Sequence, residues 1–316
     1  VGIYFPGAYD TLHENVPEGF ELVDALSPEA YGNLADCEYL ISRLDIDPDI
    51  INHTPNVKFW QRWGAGFDHV DLKAWGERGI PIATCPGVNS GIVAELAIML
   101  MLAGYRNLLQ INRQLLEGHF PRTEYFGRSF MIKGKTVGVL GLGHIGKKVA
   151  ALVTAFGANV IYYDILRQPD QEEKYGYRFV DFDTLLEQSD IFTVHCPLNE
   201  ETRGMIGFEQ FKKMKPSAML INTARGPIVD EAAMIDALTT GKIATAGLDT
   251  YEHEPLPKDH PLLKLDNVVA SAHAGGNTKD NDINMVNYVY HNIVAFDRGE
   301  PLNTPGDIVN GEFLKK

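Results

Sequence analysis

Between residues 136 and 156 the chain reads as an apolar β run, Thr136-Val137-Gly138-Val139-Leu140, then a glycine pattern, Gly141-Leu142-Gly143-His144-Ile145-Gly146, then a helix with apolar residues at Val149, Ala150, Val153 and Phe156. In this order Gly141 permits a tight turn, Gly143 lets backbone approach a pyrophosphate, and Gly146 lets helix and strand pack closely. The amides at the helix start then face the phosphates. The next strand ends in Tyr163-Asp164, with Asp164 lying 18 residues after Gly146 and 23 after Gly141. That is the place for a carboxylate that accepts hydrogen bonds from a ribose diol. Together these features predict a dinucleotide site, with NAD favoured because Asp164 repels a 2′-phosphate. Arg167, three residues on, keeps NADP open as the less favoured cofactor, since a nearby arginine receives that phosphate in some sites.

From Thr136 a βα pattern runs through candidate strands at 136–140, 159–163, 191–195, 218–222, 244–248 and 268–271, the six that a doubly wound sheet requires. Upstream, shorter β runs at 1–5, 20–23, 38–41, 57–60 and 80–83 alternate with candidate helices at 28–35 and 71–79. They predict a smaller, flavodoxin-like parallel α/β domain. A helical stretch over 92–117, broken at Gly104 and Asn107, carries the chain onward, and an amphipathic helix over 280–298 returns it. The expected architecture is therefore two doubly wound parallel-sheet domains: a substrate domain of 1–91 completed by 285–316, a dinucleotide domain of 92–284 inserted into it, and a cleft between them.

A formal charge of −14 argues against a nucleic-acid or anionic-membrane surface, where clustered Lys and Arg dominate. An anionic substrate then needs a local positive site. Cys37, Cys85 and Cys196 are too few and too scattered for a disulfide framework or a Cys-rich metal site, which suits a reducing cytoplasm, and no metal is expected. The longest apolar stretch, 92–103, is interrupted by Glu95 and falls far short of the roughly 20 residues that span a bilayer. No signal peptide is visible at Val1.

Three consecutive strand ends each deliver a reactive residue type. Arg225, in Asn222-Thr223-Ala224-Arg225-Gly226, offers a planar fork to a carboxylate. Glu254, before Pro255, follows the strand ending at Leu248; Glu252 and His253 compete with it in the same loop. His273, in Ser271-Ala272-His273-Ala274-Gly275-Gly276, suits proton transfer to and from an alkoxide, and a carboxylate against its imidazole favours the imidazolium and fixes its orientation. Ligands bind at the carboxyl edge of doubly wound sheets, so the set predicts interconversion of a 2-oxo acid and a 2-hydroxy acid beside a nicotinamide. His195-Cys196-Pro197, at the same edge, reads as a wall beside the adenosine. In the first domain Gly64-Ala65-Gly66 is a candidate nest for the substrate carboxylate, with Arg62 and Trp63 shaping it. Pro86-Gly87-Val88-Asn89-Ser90 precedes the long helix, with Asn89 or Ser90 as its N-cap.

On these motifs, with 197–202, Gly247-Leu248-Asp249 and Glu254-Pro255, the chain resembles the D-isomer-specific 2-hydroxyacid dehydrogenases over nearly its whole length. The resemblance implies hydride exchange with the nicotinamide, Arg225 on the carboxylate, His273 as acid/base and Glu254 as its partner. It also assigns His144, Ile145, Asp164, Thr202, Thr223, Ala224, Arg225, Asp249, His273 and Gly275 to the cofactor, Asp249 near the carboxamide, and implies a homodimer. The chain departs from the pattern at Glu95-Leu96, where many relatives have a histidine after the glutamate. No appended regulatory domain is seen, so feedback control by serine is not expected. An NAD-sensing corepressor or scaffold on the same architecture and a phosphite dehydrogenase are the alternatives. A formate dehydrogenase is disfavoured because, by resemblance, it carries glutamine where Glu254 stands.

Overall fold

The computed structural model describes residues 1–4, 9–25, 28–42, 49–68 and 70–314; Phe5, the end of the first expected strand, lies outside them. In chain order the elements are β1 (Gly2–Tyr4), α1 (Tyr9–Glu14), β2 (Val23–Asp24), β3 (Tyr39–Ser42), α2 (Ile50–His53), β4 (Phe59–Arg62), α3 (Leu72–Glu77), β5 (Ile82–Ala83), α4 (Ser90–Tyr105) and α5 (Leu108–Leu116). There follow β6 (Thr136–Leu140), α6 (His144–Ala155), β7 (Asn159–Tyr163), α7 (Pro169–Tyr175), β8 (Arg178–Phe179), α8 (Phe182–Gln188), β9 (Ile191–Val194) and α9 (Phe208–Lys213). The chain continues with β10 (Met219–Asn222), α10 (Glu231–Thr239), β11 (Thr245–Leu248), β12 (Val268–Ala270) and α11 (Lys279–Arg298). It divides into two compact units, Val1–Asn89 with Gly276–Lys316, and Ser90–Gly275. The second crossing falls ahead of α11 and not at 284–285, where a cut would sever a continuous helix.

In the larger unit the sheet order is β12-β11-β10-β9-β6-β7-β8, with every pairing parallel. The order reverses between β6 and β9, the switch point where doubly wound sheets hold ligands. Alternate residues of each strand feed opposite faces. Met219 and Ile221 join Val137, Val139 and Tyr162 under α4 and α6, whereas Leu220 joins Ile161, Phe192 and Leu248 under α8, α9 and α10. Both faces are covered, which explains why the strands read as continuous apolar runs. β8 is a seventh strand, absent from the six expected: two residues, Arg178 and Phe179, carry no apolar run to announce it. α4 lies so close that a Cβ on Gly247 would stand 2.9 Å from Leu100 Cβ. The helical stretch breaks at Asn107, whose left-handed backbone (φ 50°, ψ 38°) separates α4 from α5.

In the smaller unit the order is β2-β1-β3-β4-β5, again all parallel, the order of flavodoxin-like sheets. Leu12, Tyr39, Ile41 and Phe59 pack with Met285, Val289 and Ile293 of α11 on one face. Leu40, Trp60 and Ile82 pack with Tyr31, Ile50 and Trp75 on the other. The helix expected at 28–35 is a 3₁₀ turn, Pro28–Leu34, with Gly32 in its interior weakening any α-helical continuation.

Candidate active site

The glycine pattern at the end of β6 has the backbone the sequence demanded. Gly141 adopts φ +90°, and a Cβ there would lie 2.7 Å from the Cys196 nitrogen, so this turn presses on the turn that follows β9. A Cβ on Gly146 would stand 2.1 Å from the Gly141 carbonyl oxygen, whereas one on Gly143 would meet nothing within 4 Å. The cradle is thus closed beneath and open above. Gly143 is the N-cap of α6 and supplies no side-chain cap, which leaves the first-turn amides, among them those of His144 and Ile145, for an anion. At the end of β7 the Asp164 carboxylate accepts the amides of Leu142 (2.7 Å) and Leu166 (3.1 Å), fixing it beside the glycine turn.

Two buried polar atoms at neighbouring strand ends, Nδ1 of His195 and Oγ1 of Thr223, have no hydrogen-bond partner. Buried polar groups are rarely left unpaired in a finished structure. A dinucleotide with its ribose and phosphate oxygens fits this open cradle, bare helix end, ribose-side carboxylate and pair of orphaned polar atoms. His195 takes a contact from Thr193 Oγ1 at 2.8 Å, and burial pushes its imidazole down to about 3, so it is neutral at working pH and suits a wall, not an acid. Cys196 contributes backbone against Gly141, and burial pushes its thiol up to about 12. Pro197 opens a turn that the Thr202 hydroxyl holds by donating to the Pro197 carbonyl (2.7 Å) and accepting the Asn199 amide (2.8 Å). The Thr202 hydroxyl therefore shapes that turn.

The three residues expected to react lie on the connections after β10, β11 and β12. Asn222 folds the first connection: its Oδ1 accepts the Ala224 amide (3.0 Å) and its Nδ2 donates to the Arg225 carbonyl (2.9 Å). Arg225 is half-buried and donates to the Ala224 carbonyl at 2.7 Å. Gly226 follows because nothing larger fits: a Cβ there would stand 1.9 Å from the Tyr251 carbonyl carbon. This contact holds the arginine segment against the segment that carries Glu254.

His273 Nδ1 and Glu254 Oε2 are 2.7 Å apart, and the second oxygen of Glu254 accepts the Tyr251 amide at 3.0 Å. Glu254 is the partner, and Glu252 and His253 stay exposed beside it. Burial pushes the Glu254 carboxyl up, but the His273 and Tyr251 hydrogen bonds and the nearby His273 and Arg225 charges outweigh it and hold the group below its ordinary range. The His273 backbone is left-handed, φ 50°, a conformation that costs a non-glycine residue about 1–3 kcal/mol and persists where surroundings impose it. Asp249 imposes it. Its carbonyl accepts the His273 amide (2.8 Å), and its carboxylate accepts Ser271 Oγ (2.6 Å) and the amides of Ala274 and Gly275 (2.9 Å each). Asp249, assigned by resemblance to the carboxamide, is 1 % exposed, and its oxygens serve this loop. Leu96 of α4, the departure from the family pattern, packs under the same loop, 3.2 Å from where a Gly275 Cβ would be.

Asn222, Tyr251 and Ser271 support these residues from outside the set that the strand ends predict. Tyr251 Oη donates to the Ser271 carbonyl at 2.6 Å, tying the Glu254 segment to the strand end before His273. The order Asn222-Thr223-Ala224 carried an Asx-turn signal; the tyrosine and serine carried none.

In the smaller unit, Gly64 (φ +126°) turns the chain so that its carbonyl accepts the Cys85 amide (2.8 Å), while the Gly66 carbonyl accepts Arg62 Nε (3.3 Å) and Nη2 (3.2 Å). Both glycine carbonyls are taken, and among the described residues the amides of Ala65 and Gly66 donate to nothing. Such a turn suits an anion. Trp63 is buried in the core of this unit.

The model of the D-isomer specific 2-hydroxyacid dehydrogenase NAD binding domain matches residues 98–275. A D-3-phosphoglycerate dehydrogenase of Archaeoglobus fulgidus is 42 % identical over 261 residues, 83 % of this chain and 49 % of its own, so the chain spans about half that relative's length. A glyoxylate reductase of Korarchaeum cryptofilum is 38 % identical over 284 residues, 89 % of this chain and 85 % of its own. The crystal structure of a D-lactate dehydrogenase with NAD+ from Lactobacillus jensenii matches with a TM-score of 0.81 at 30 % identity, covering 98 % of both chains. A chain this similar over this length, with the matched model spanning the glycine turn after β6 and the segments that carry Arg225, Glu254 and His273, belongs to the D-isomer-specific 2-hydroxyacid dehydrogenase family.

Proposed function

We propose that this chain is an NAD-dependent D-2-hydroxyacid dehydrogenase, interconverting a 2-oxo acid and a D-2-hydroxy acid with Arg225, Glu254 and His273 as its reacting residues. The observation that carries the reading is the 2.7 Å pairing of His273 with Glu254 in a loop bent to left-handed backbone. A bound nicotinamide supplies or accepts the hydride. Arg225 binds the substrate carboxylate through its guanidinium fork. Glu254 occupies Nδ1 of His273, so Nε2 faces the reacting oxygen, giving its proton to the carbonyl during reduction and taking it back during oxidation. Within the smaller unit, the turn at Gly64, Ala65 and Gly66 is by itself an anion-binding nest. The cofactor is NAD, supported by the placement of Asp164 at the end of β7.

Further features complete the reading. The chain works as a homodimer: α5 has no buried residue and shows Leu108 (54 % exposed), Leu115 (45 %) and Leu116 (81 %), with Phe120 (80 %) just beyond, and lone monomers rarely leave such a patch uncovered. Its place is the cytoplasm, in keeping with three free thiols. No single helix among the described residues is long and apolar enough to cross a membrane.

The test is a kinetic split. Arg225→Ala raises KM for the oxo acid and lowers turnover together, whereas His273→Ala cuts turnover by roughly 10²–10⁴ and leaves NADH binding intact. Unchanged kinetics in either variant removes that residue from the site.

A further inference from the structure

The arginine that left NADP open in the sequence is already engaged. Arg167 Nε and Nη2 donate to the two oxygens of Glu172 at 2.8 and 2.7 Å, a bidentate pair. Glu172 Oε1 also accepts the hydroxyl of Tyr162 at 2.8 Å, and that hydroxyl in turn accepts the Gln168 amide at 2.8 Å. Tyr162 is fully buried, so the anchor is rigid. On its far side the guanidinium lies 5.9 Å from the centre of the Phe179 ring. The Glu172 side chain is only 17 % exposed, and the hydrogen bonds from Arg167 and Tyr162 hold its carboxyl down to about 2, so it stays ionised. Residues 164–168 read Asp-Ile-Leu-Arg-Gln, and Arg167 is their only cation.

We propose that Glu172 is a specificity-determining residue for the cofactor: by closing Arg167 into a bidentate pair against Tyr162 and Phe179, it leaves Asp164 as the one charge that this loop presents at the end of β7. The inference rests on the NAD reading above. Selectivity then has two parts, a carboxylate that repels a 2′-phosphate and a latch that withholds the cation able to receive it. Neutralising Asp164 alone leaves the phosphate without a counter-charge, and opening the latch alone leaves the repulsion. The two substitutions together act by more than the product of their separate effects.

The test uses the full chain with NADH and NADPH themselves, reading dissociation constants by nucleotide fluorescence at fixed salt, with turnover as a second measure. Thermal melting confirms that each variant folds, and Glu172→Ala stands beside Glu172→Gln should either fold poorly. The expected result is that Asp164→Asn/Glu172→Gln tightens NADPH by about tenfold beyond the product of the two single gains. Arg167→Ala added to that pair removes the gain, while Arg167→Ala in the parent chain leaves NADPH affinity unchanged. NADH affinity in Glu172→Gln stays within about twofold of the parent. Gains that merely multiply, or a gain that survives loss of Arg167, overturn the latch. A parent chain that binds NADPH as tightly as NADH overturns the cofactor reading instead, and the two failures are distinguishable.

Discussion

Replacing Gly226 by alanine places a methyl carbon 1.9 Å from the carbonyl carbon of Tyr251, 2.0 Å from its oxygen and 2.4 Å from the nitrogen of Glu252. Every one of those atoms is backbone, so no side-chain rotation relieves the clash. Restoring even a tight 3.4 Å contact separates the Arg225 and Glu254 segments by about 1.5 Å. Overpacking of this kind costs roughly 1–3 kcal/mol of stability. The kinetic cost is larger, because a displacement near 1 Å in groups that position substrate lowers rate by roughly 10²-fold. The assay is NADH-coupled reduction of the best 2-oxo acid, read as kcat/KM beside a thermal melt. We expect kcat/KM to fall about a hundredfold with a melting point lower by several degrees. Parent-like kcat/KM in a folded Gly226→Ala chain would refute the claim that this contact holds guanidinium and carboxylate in register.

Other outcomes follow from the same contacts. Asp249→Asn removes a carboxylate that accepts one hydroxyl and two amides, so turnover and melting temperature fall together, by kinetics and calorimetry. Glu172 has its carboxyl lowered from 4.5 to about 2, so its stabilisation is present above 4.5 and is lost as pH falls towards 2. The gap in melting temperature between parent and Glu172→Gln therefore narrows as pH is lowered from about 5 towards 3. Light scattering gives twice the chain mass of 35.1 kDa for the parent, and Leu116→Glu/Phe120→Glu shifts it towards the monomer; a parent that runs as a monomer removes the dimer.

Much of the architecture was written in local pattern. The glycine turn, α6 and Asp164 are contiguous in sequence, and Asn107 announced the break between α4 and α5 because few residues adopt left-handed backbone cheaply. β8 was illegible because Arg178-Phe179 is not part of an apolar run, whereas β2 and β5, equally short, are reached by the apolar runs at 20–23 and 80–83. Several strands of the smaller unit, β3 and β4 among them, lie one or two residues beyond the apolar runs that suggested them, since the ladder and not the run sets their ends. At the site, residue types at strand ends named Arg225, Glu254 and His273. Their supports were hidden because the partners are distant in sequence: Asp249 to Gly275 spans 26 residues and Tyr251 to Ser271 spans 20. The engagement of Arg167 was equally out of reach, because a helix beginning at Pro169 turns Glu172 back onto it.

The most direct measurement is NADH absorbance with a panel of 2-oxo acids, glyoxylate, pyruvate, hydroxypyruvate and bulkier ones, followed by chiral analysis of any chiral product. The account predicts that at least one is reduced, that chiral products have the D configuration, and that His273→Ala loses the activity while still binding NADH. A chain that binds NADH and reduces none of them, or a His273→Ala variant as fast as the parent, would contradict it.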